Sequence, residues 1–339
     1  MDVEQYLLDV ERYLFQDIVF NILNFLDKDS SFHFVNICKF LQSSKQMLFD
    51  KYVFRYGRIR NHKRCYLMKK IITEKLHDFT KFNHIETLIF GDEYFNEPLY
   101  NLPPKLKCLI LGSSYNQPFM TLPNSLIELR TGYSFNQSVD NISDNLEILE
   151  FGNNFNKPVD KLSKKLKTLI LGVNFNQSLD NLPPELKVLI FEQNLWRSSI
   201  FNKPITKLPI TLEILKLSEH YNHSLPDLPP RLKILEVRCE FNRSLGNLPS
   251  TLEILILSYR YNQPLNKLPK SLKTIKFGRH FDQLIDDLPN SIETIEFGHN
   301  YSQKINKLPS ELKKIIIKSN IILQCETYPK NLEIVLEVH

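Results

Sequence analysis

A twenty-residue unit recurs along most of the chain, and its cleanest copy is LKTLILGVNFNQSLDNLPPE, residues 166–185. An apolar run is followed by glycine, a Phe-Asn pair and a Leu-Pro step that leads into the next copy. The aromatic of the Phe-Asn slot falls at 95, 115, 135, 155 and 175, then at 201, 221, 241, 261, 281 and 301. Every step is twenty residues except one, where six extra residues enter near 192–200. A period this regular specifies a solenoid, in which each unit buries its apolar face only against its neighbours.

Each copy opens with L-x-x-L-x-L, starting at Ile85, Leu106, Leu126, Leu146, Leu166, Leu186, Leu212, Leu232, Leu252, Leu272, Ile292, Leu312 and Leu332. The second and third apolar positions alternate with outward residues, as a half-buried strand requires. About a dozen residues remain after the strand, often with proline in two places, as at Pro158 and at Pro183-Pro184. That is too short and too proline-rich for a return helix. The expectation is a mainly β solenoid of parallel strands with extended return segments, about 60 Å long at ~4.8 Å per strand.

Two patterns predict in-register stacking. The second residue of successive units reads Glu213, Lys233, Glu253, Lys273, Glu293, Lys313, Glu333, so that stacking sets opposite charges side by side. The aromatics of the Phe-Asn slot are expected to stack as a spine inside the seam. The asparagines beside them can satisfy backbone groups in the turns. These residues are scaffold.

Residues 1–82 lack the repeat. Apolar residues at helical spacing (Ile18, Ile22, Phe25 and Leu26, then Phe34, Ile37, Cys38 and Leu41) predict two short helices joined by the polar Asp27–Ser30. Residues 1–50 therefore read as a small helical domain and 51–84 as a basic helical linker or cap, with helices over 45–57 and 64–76. The solenoid is assigned to 85–339. Nine basic residues and one acidic one, Glu74, lie within 51–75, interleaved with aromatics. Nucleic-acid binding explains such a cluster less readily than a solvated linker face does.

The chain has 339 residues and a formal charge of +5, but the repeats themselves carry 29 basic against 28 acidic side chains. Five scattered cysteines show no metal-binding spacing, and the acidic N-terminus, MDVEQYLLDVE, lacks the features of a signal peptide. No apolar run approaches a membrane span. These features predict a cytoplasmic protein that is monomeric apart from its partners and binds neither cofactor nor metal. No nucleophile, base and acid stand at motif spacing, and there is no phosphate-binding glycine loop, so a binding protein rather than an enzyme is expected.

The segment Leu14-Phe15-Gln16-Asp17, Ile22-Leu23-Asn24-Phe25-Leu26 and Ile37-Cys38-Lys39 resembles an F-box in order and spacing. Phe15 stands where that family usually has proline, and Leu41 where it has tryptophan. The repeat resembles a leucine-rich repeat, and its wording, as in Phe201-Asn202-Lys203-Pro204-Ile205, resembles the FNIP repeat of amoebae and of the large viruses that infect them. F-box followed by FNIP repeats is an architecture of that family. The resemblance implies docking of Leu14, Ile18, Ile22, Leu23, Phe25, Leu26 and Ile37 on the Skp-type adaptor of a cullin-based ubiquitin ligase, while the solenoid holds a target protein. A plain N-terminal cap on a scaffolding solenoid is the other reading.

Strand residues three and five point into the concave face expected of such a solenoid. Among them Ile110, Ile170, Val188, Ile190, Ile254 and Ile256 form an apolar series interrupted by charges such as Arg130, Glu150, Lys216 and Glu236. An exposed apolar stripe marks an interaction surface. The six-residue insertion carries the chain's one tryptophan, Trp196, beside Arg197, residue types enriched in binding hot spots.

Overall fold

The computed structural model describes residues 53–55, 70–73, 77–80, 82–140, 142–192, 198–265, 267–318 and 328–336. The chain divides into two compact units, Met1–Val53 and Phe54–His339. The predicted helices of 14–42 lie outside the described residues.

Fifteen strands form one sheet in sequence order. They are β1 (Val53–Arg55), β2 (Lys70–Thr73), β3 (Thr87–Phe90), β4 (Cys108–Ile110), β5 (Glu128–Arg130), β6 (Ile148–Glu150), β7 (Thr168–Leu171) and β8 (Val188–Phe191). After the insertion come β9 (Ile214–Lys216), β10 (Ile234–Glu236), β11 (Ile254–Ile256), β12 (Thr274–Lys276), β13 (Thr294–Phe297), β14 (Lys314–Ile317) and β15 (Glu333–Leu336). From β2 onward each strand pairs parallel with the next, leucine against leucine, as Leu149↔Leu169 and Leu169↔Leu189 illustrate. The thirteen strands read from the repeat are β3–β15. Among the described residues no helix occurs, and the return segments are turns and extended chain.

The helical reading of 45–57 and 64–76 is corrected at Val53–Arg55 and Lys70–Thr73, which are strands of the same sheet. Lys70 pairs with Thr87, a step of seventeen residues rather than twenty. That shorter step hid the strand from the repeat, although the β-branched run Ile71-Ile72-Thr73 suits one.

The core is built from columns. Leu109, Leu129, Leu149, Leu169, Leu189, Leu215, Leu235 and Leu255 are fully buried, each one unit from the next. Beside them runs the aromatic spine, Phe95 to Tyr301. Its consecutive ring centroids stand 6.0–6.4 Å apart and tilt by 1–21°. That separation exceeds the ~4.8 Å strand spacing, so the rings are offset, the arrangement that π-systems prefer. Phenylalanines at the strand ends pack onto the spine, as Phe151 does on Phe155 at 3.6 Å.

Two hydrogen-bond ladders between units fix the register. Each spine-side asparagine accepts the backbone N–H of its counterpart one unit later, from Asn116 N to Asn96 Oδ1 at 2.8 Å through Asp282 N to Asn262 Oδ1 at 2.9 Å. Asp282 replaces asparagine and still accepts, from Ser302 N at 2.7 Å. A turn before the strand closes within the unit, with Leu106 N donating to Pro103 O at 3.1 Å, and serine takes the place of proline at Ser143 and Ser163. Hydroxyls that the sequence reading passed over, those of Ser125, Thr211, Thr251, Ser271 and Ser291, donate to the strand-opening leucine carbonyl of the preceding unit at 2.7–2.9 Å.

The charge ladder forms as couples: Lys167–Glu147 at 2.7 Å, Lys233–Glu213 at 2.8 Å and Lys313–Glu293 at 2.6 Å. The Lys233 and Lys313 bonds hold the Glu213 and Glu293 carboxyls below the usual carboxylate range. At the surface such pairs add little stability, so their main effect is on register.

Candidate partner-binding face

The side of the sheet facing away from the core presents two rows. The first residue of each strand from β5 to β12 gives one row: Glu128, Ile148, Thr168, Val188, Ile214, Ile234, Ile254 and Thr274 in register. The third gives the other: Ile110, Arg130, Glu150, Ile170, Ile190, Lys216, Glu236, Ile256, Lys276 and Glu296. All of these side chains are half-buried. Neighbouring strands shield their flanks and leave their tips to solvent.

Val188, Ile214, Ile234 and Ile254 run unbroken across β8–β11, with Ile170 and Ile190 beside one end and Ile256 beside the other. The structure therefore brings Ile170, Val188, Ile190, Ile254 and Ile256 into one apolar window. Ile214, which the sequence reading did not single out, supplies its middle. Ile110 is separated from the window in its own row by Arg130 and Glu150. Trp196 and Arg197 lie outside the described residues, as do Leu14, Ile18, Ile22, Leu23, Phe25, Leu26 and Ile37.

The charges bordering the window neutralise one another. Arg130 Nε donates to Glu128 Oε1 at 2.6 Å, and its Nη1 lies 3.2 Å from Glu150. Lys216 pairs with Glu236 at 3.6 Å, and Glu296 takes Lys276 at 2.9 Å and Lys318 at 2.5 Å. Burial pushes the Glu296 carboxyl up, but the Lys318 and Lys276 bonds outweigh it and hold it below its usual value. Burial likewise disfavours the charged Arg130, and Glu128 and Glu150 overcome that and keep its pKa raised. The charges on the face are thus paired with one another around the apolar window.

A buried ion pair grips the stem of the insertion. Arg238 Nη1 donates to the carbonyl of Phe191, before the insertion, at 2.8 Å, and lies 3.6 Å from Glu219 Oε1. Glu219 Oε2 accepts from the backbone N–H of Ser199, after the insertion, at 2.8 Å. Arg238 also bonds Glu236 at 2.8 Å, which ties the stem to the edge of the apolar window. Glu192, at the near end of the stem, has its carboxyl pushed up first by burial and then by Glu150. The sequence signal was positional. Arg238 stands in the column that is glycine at 112, 132, 152, 172, 278 and 298.

The FNIP Repeat family matches residues 95–134, 159–194, 241–280, 261–287 and 281–320. The chain carries FNIP repeats. Among solved structures it is similar to CroV588, described as a novel circular leucine-rich-repeat protein, with a TM-score of 0.62 and 29% identity over 79% of this chain and 46% of that one. It is also similar in fold to YopM from Yersinia enterocolitica WA-314, with a TM-score of 0.53 and 20% identity over 80% of this chain and 67% of that one. The match thus spans less than half the length of CroV588. No curated protein matches the chain in sequence. A FNIP solenoid of leucine-rich type is an architecture typical of protein-interaction domains, and no enzymatic family is indicated. Among the described residues no helix is long and apolar enough to cross a membrane.

Proposed function

We propose that the chain is a non-catalytic adaptor: the solenoid holds a target protein on the apolar window, and the F-box-like segment docks the Skp-type adaptor of a cullin-based ubiquitin ligase. The observation that carries the first half is the contiguous window of Ile170, Val188, Ile190, Ile214, Ile234, Ile254 and Ile256, bordered by charges already paired. A contiguous apolar surface whose half-buried side chains leave their tips to solvent marks a protein contact. The second half rests on the Leu14–Leu41 resemblance and on its pairing with FNIP repeats. Holding a target beside a charged conjugating enzyme raises its effective concentration without chemistry in this chain. The adaptor would work in the cytoplasm.

The test is binding of the full chain to purified Skp-type adaptor, compared with a variant carrying Ile22→Asp and Leu26→Asp. Binding that the double variant abolishes supports the ligase role. No binding by the folded intact chain leaves the N-terminal segment as a cap on a scaffolding solenoid, a reading favoured by Phe15 and Leu41 at positions where the F-box has other residues.

A further inference from the structure

Next to the apolar window, the loops that follow β11, β12 and β13 carry Tyr259-Arg260, Arg279-His280 and His299-Asn300. Backbone bonds hold these loops in register: His280 N donates to Tyr259 O and Asn300 N to Arg279 O, both at 3.0 Å. The register places Tyr259, Arg279 and His299 in one column and Arg260, His280 and Asn300 in a second, with steps of ~4.8 Å. The Arg279 guanidinium lies 5.7 Å from the centre of the Tyr259 ring, and the His280 ring meets that ring edge-on at 5.0 Å. All six side chains are exposed.

Two features set this ledge apart. Whereas Arg130, Lys216, Arg238 and Lys276 are all matched by carboxylates, among the described residues no ion pair reaches Arg260, Arg279, His280 or His299. Glu240 lies one unit below Arg260 and is the nearest acidic residue in its column. The same two columns begin with Asp92 and Glu93 at the other end of the solenoid, so the positive charge is local.

The way from the window to the ledge is also open. Between Ile256 and Tyr259 the Ser258 hydroxyl turns inward to Phe241 O at 2.6 Å. The equivalent positions of the next two units are Gly278 and Gly298. At these three positions no side chain stands between sheet face and ledge, and Lys318, next in the column, reaches back to Glu296.

We infer that Tyr259, Arg260 and Arg279, flanked by His280 and His299, dock an acidic segment of the protein bound on the apolar window. This rests on the reading of that window as a protein contact. The occupant has apolar residues over Ile254 and Ile256, followed by carboxylates that cross the Ser258–Gly278–Gly298 sill to the two arginines. A nucleic acid fits less well, because the floor beside the ledge holds the apolar Ile256 and the already paired Lys276 and Glu296.

The test is fluorescence anisotropy at low salt with the full chain and a labelled peptide of two leucines followed by four glutamates. A peptide with lysines in place of the glutamates and a single-stranded oligouridylate serve as the other probes. The acidic peptide is expected to bind, and Arg260→Glu with Arg279→Glu to weaken it by about tenfold. Arg231→Glu, an exposed arginine elsewhere, should leave it unchanged. No binding of the acidic peptide, equal binding of the lysine peptide or the oligouridylate, or an unaltered affinity in the folded double variant overturns the ledge. Ile256→Ser, which removes the apolar contact without adding a negative charge beside the arginines, separates the two readings. If it weakens binding while the arginine variant does not, the ledge fails and the window stands. If the arginine variant weakens binding and Ile256→Ser does not, the window reading fails, and with it the inference that rests on it.

Discussion

Arg238 donates a hydrogen bond to the carbonyl of Phe191, forty-seven residues earlier, at 2.8 Å. The bond spans the site where six extra residues interrupt the stack, and the Glu219 partner of Arg238 holds the far side of the same interruption through Ser199. Arg238→Met should therefore destabilise the chain by about 3–5 kcal/mol, because it leaves a buried carboxylate uncompensated. The paired change Arg238→Met with Glu219→Met should recover much of that loss. Urea denaturation of the two variants checks both statements.

The asparagine ladder predicts that chemistry, not size, decides tolerance. Asn156 Oδ1 accepts from Asn176 N and from Gln177 Nε2, each at 2.9 Å. Asn156→Ala should cost about 1–3 kcal/mol by stranding the Asn176 N–H. Asn156→Asp should cost less at neutral pH, since Asp282 already fills this role in its own unit. There burial pushes the Asp282 carboxyl up, but the Ser302 and Gln303 donors outweigh it and hold it below its usual value. A carboxyl so depressed stabilises above its unfolded pKa of about 4, and the stability is lost as pH falls through the lower folded value. The Asp variant should accordingly gain an acid sensitivity that the parent position lacks, visible as a melting temperature that drops in that window.

Gly152 predicts the reverse, intolerance to even one carbon. A Cβ there would stand 2.0 Å from the carbonyl oxygen of Gly132, backbone that has nowhere to go. Gly152→Ala should cost about 1–3 kcal/mol and raise amide exchange in β5 and β6 first. Gly246, with open space around it and φ of 65°, should pay only backbone strain when changed to alanine, about 1 kcal/mol.

The spine makes the chain alkali-sensitive. Burial pushes the Tyr261 hydroxyl up to about 12, and burial also raises those of Tyr115 and Tyr221. Below about pH 10 both folded and unfolded tyrosines are protonated and the stability is intact. Between 10 and 12 the unfolded state sheds protons that the folded state retains, so stability falls as pH rises. Tyr261→Phe should leave the melting temperature at pH 8 nearly unchanged and reduce its fall between pH 9 and pH 11.

What was legible in the sequence followed from periodicity. A twenty-residue period with alternating leucines allows one kind of stack, so the strands β3–β15, the spine and the asparagine ladder were all readable. The strands at Val53–Arg55 and Lys70–Thr73 were not, because the seventeen-residue step at Lys70 breaks the period and short apolar runs suit helix and strand alike. The apolar window was readable in part. Ile170, Val188 and Ile190 stood out one by one, but the unbroken row through Ile214 depends on which strands follow the insertion in register. The grip on the insertion was not read, since its one signal was Arg238 in the glycine column and the contact from Arg238 to Phe191, forty-seven residues away, has no local signature.

The central claim, that the repeat face and the N-terminal segment serve two different partners, has a direct test. Quantitative affinity purification from amoebal lysate would compare the intact chain with an Ile170→Asp, Ile190→Asp variant and with the Ile22→Asp, Leu26→Asp variant. The account predicts two separate losses: the window variant loses a target while retaining adaptor and cullin, and the N-terminal variant loses adaptor and cullin while retaining that target. Identical protein sets recovered with all three folded baits would contradict it.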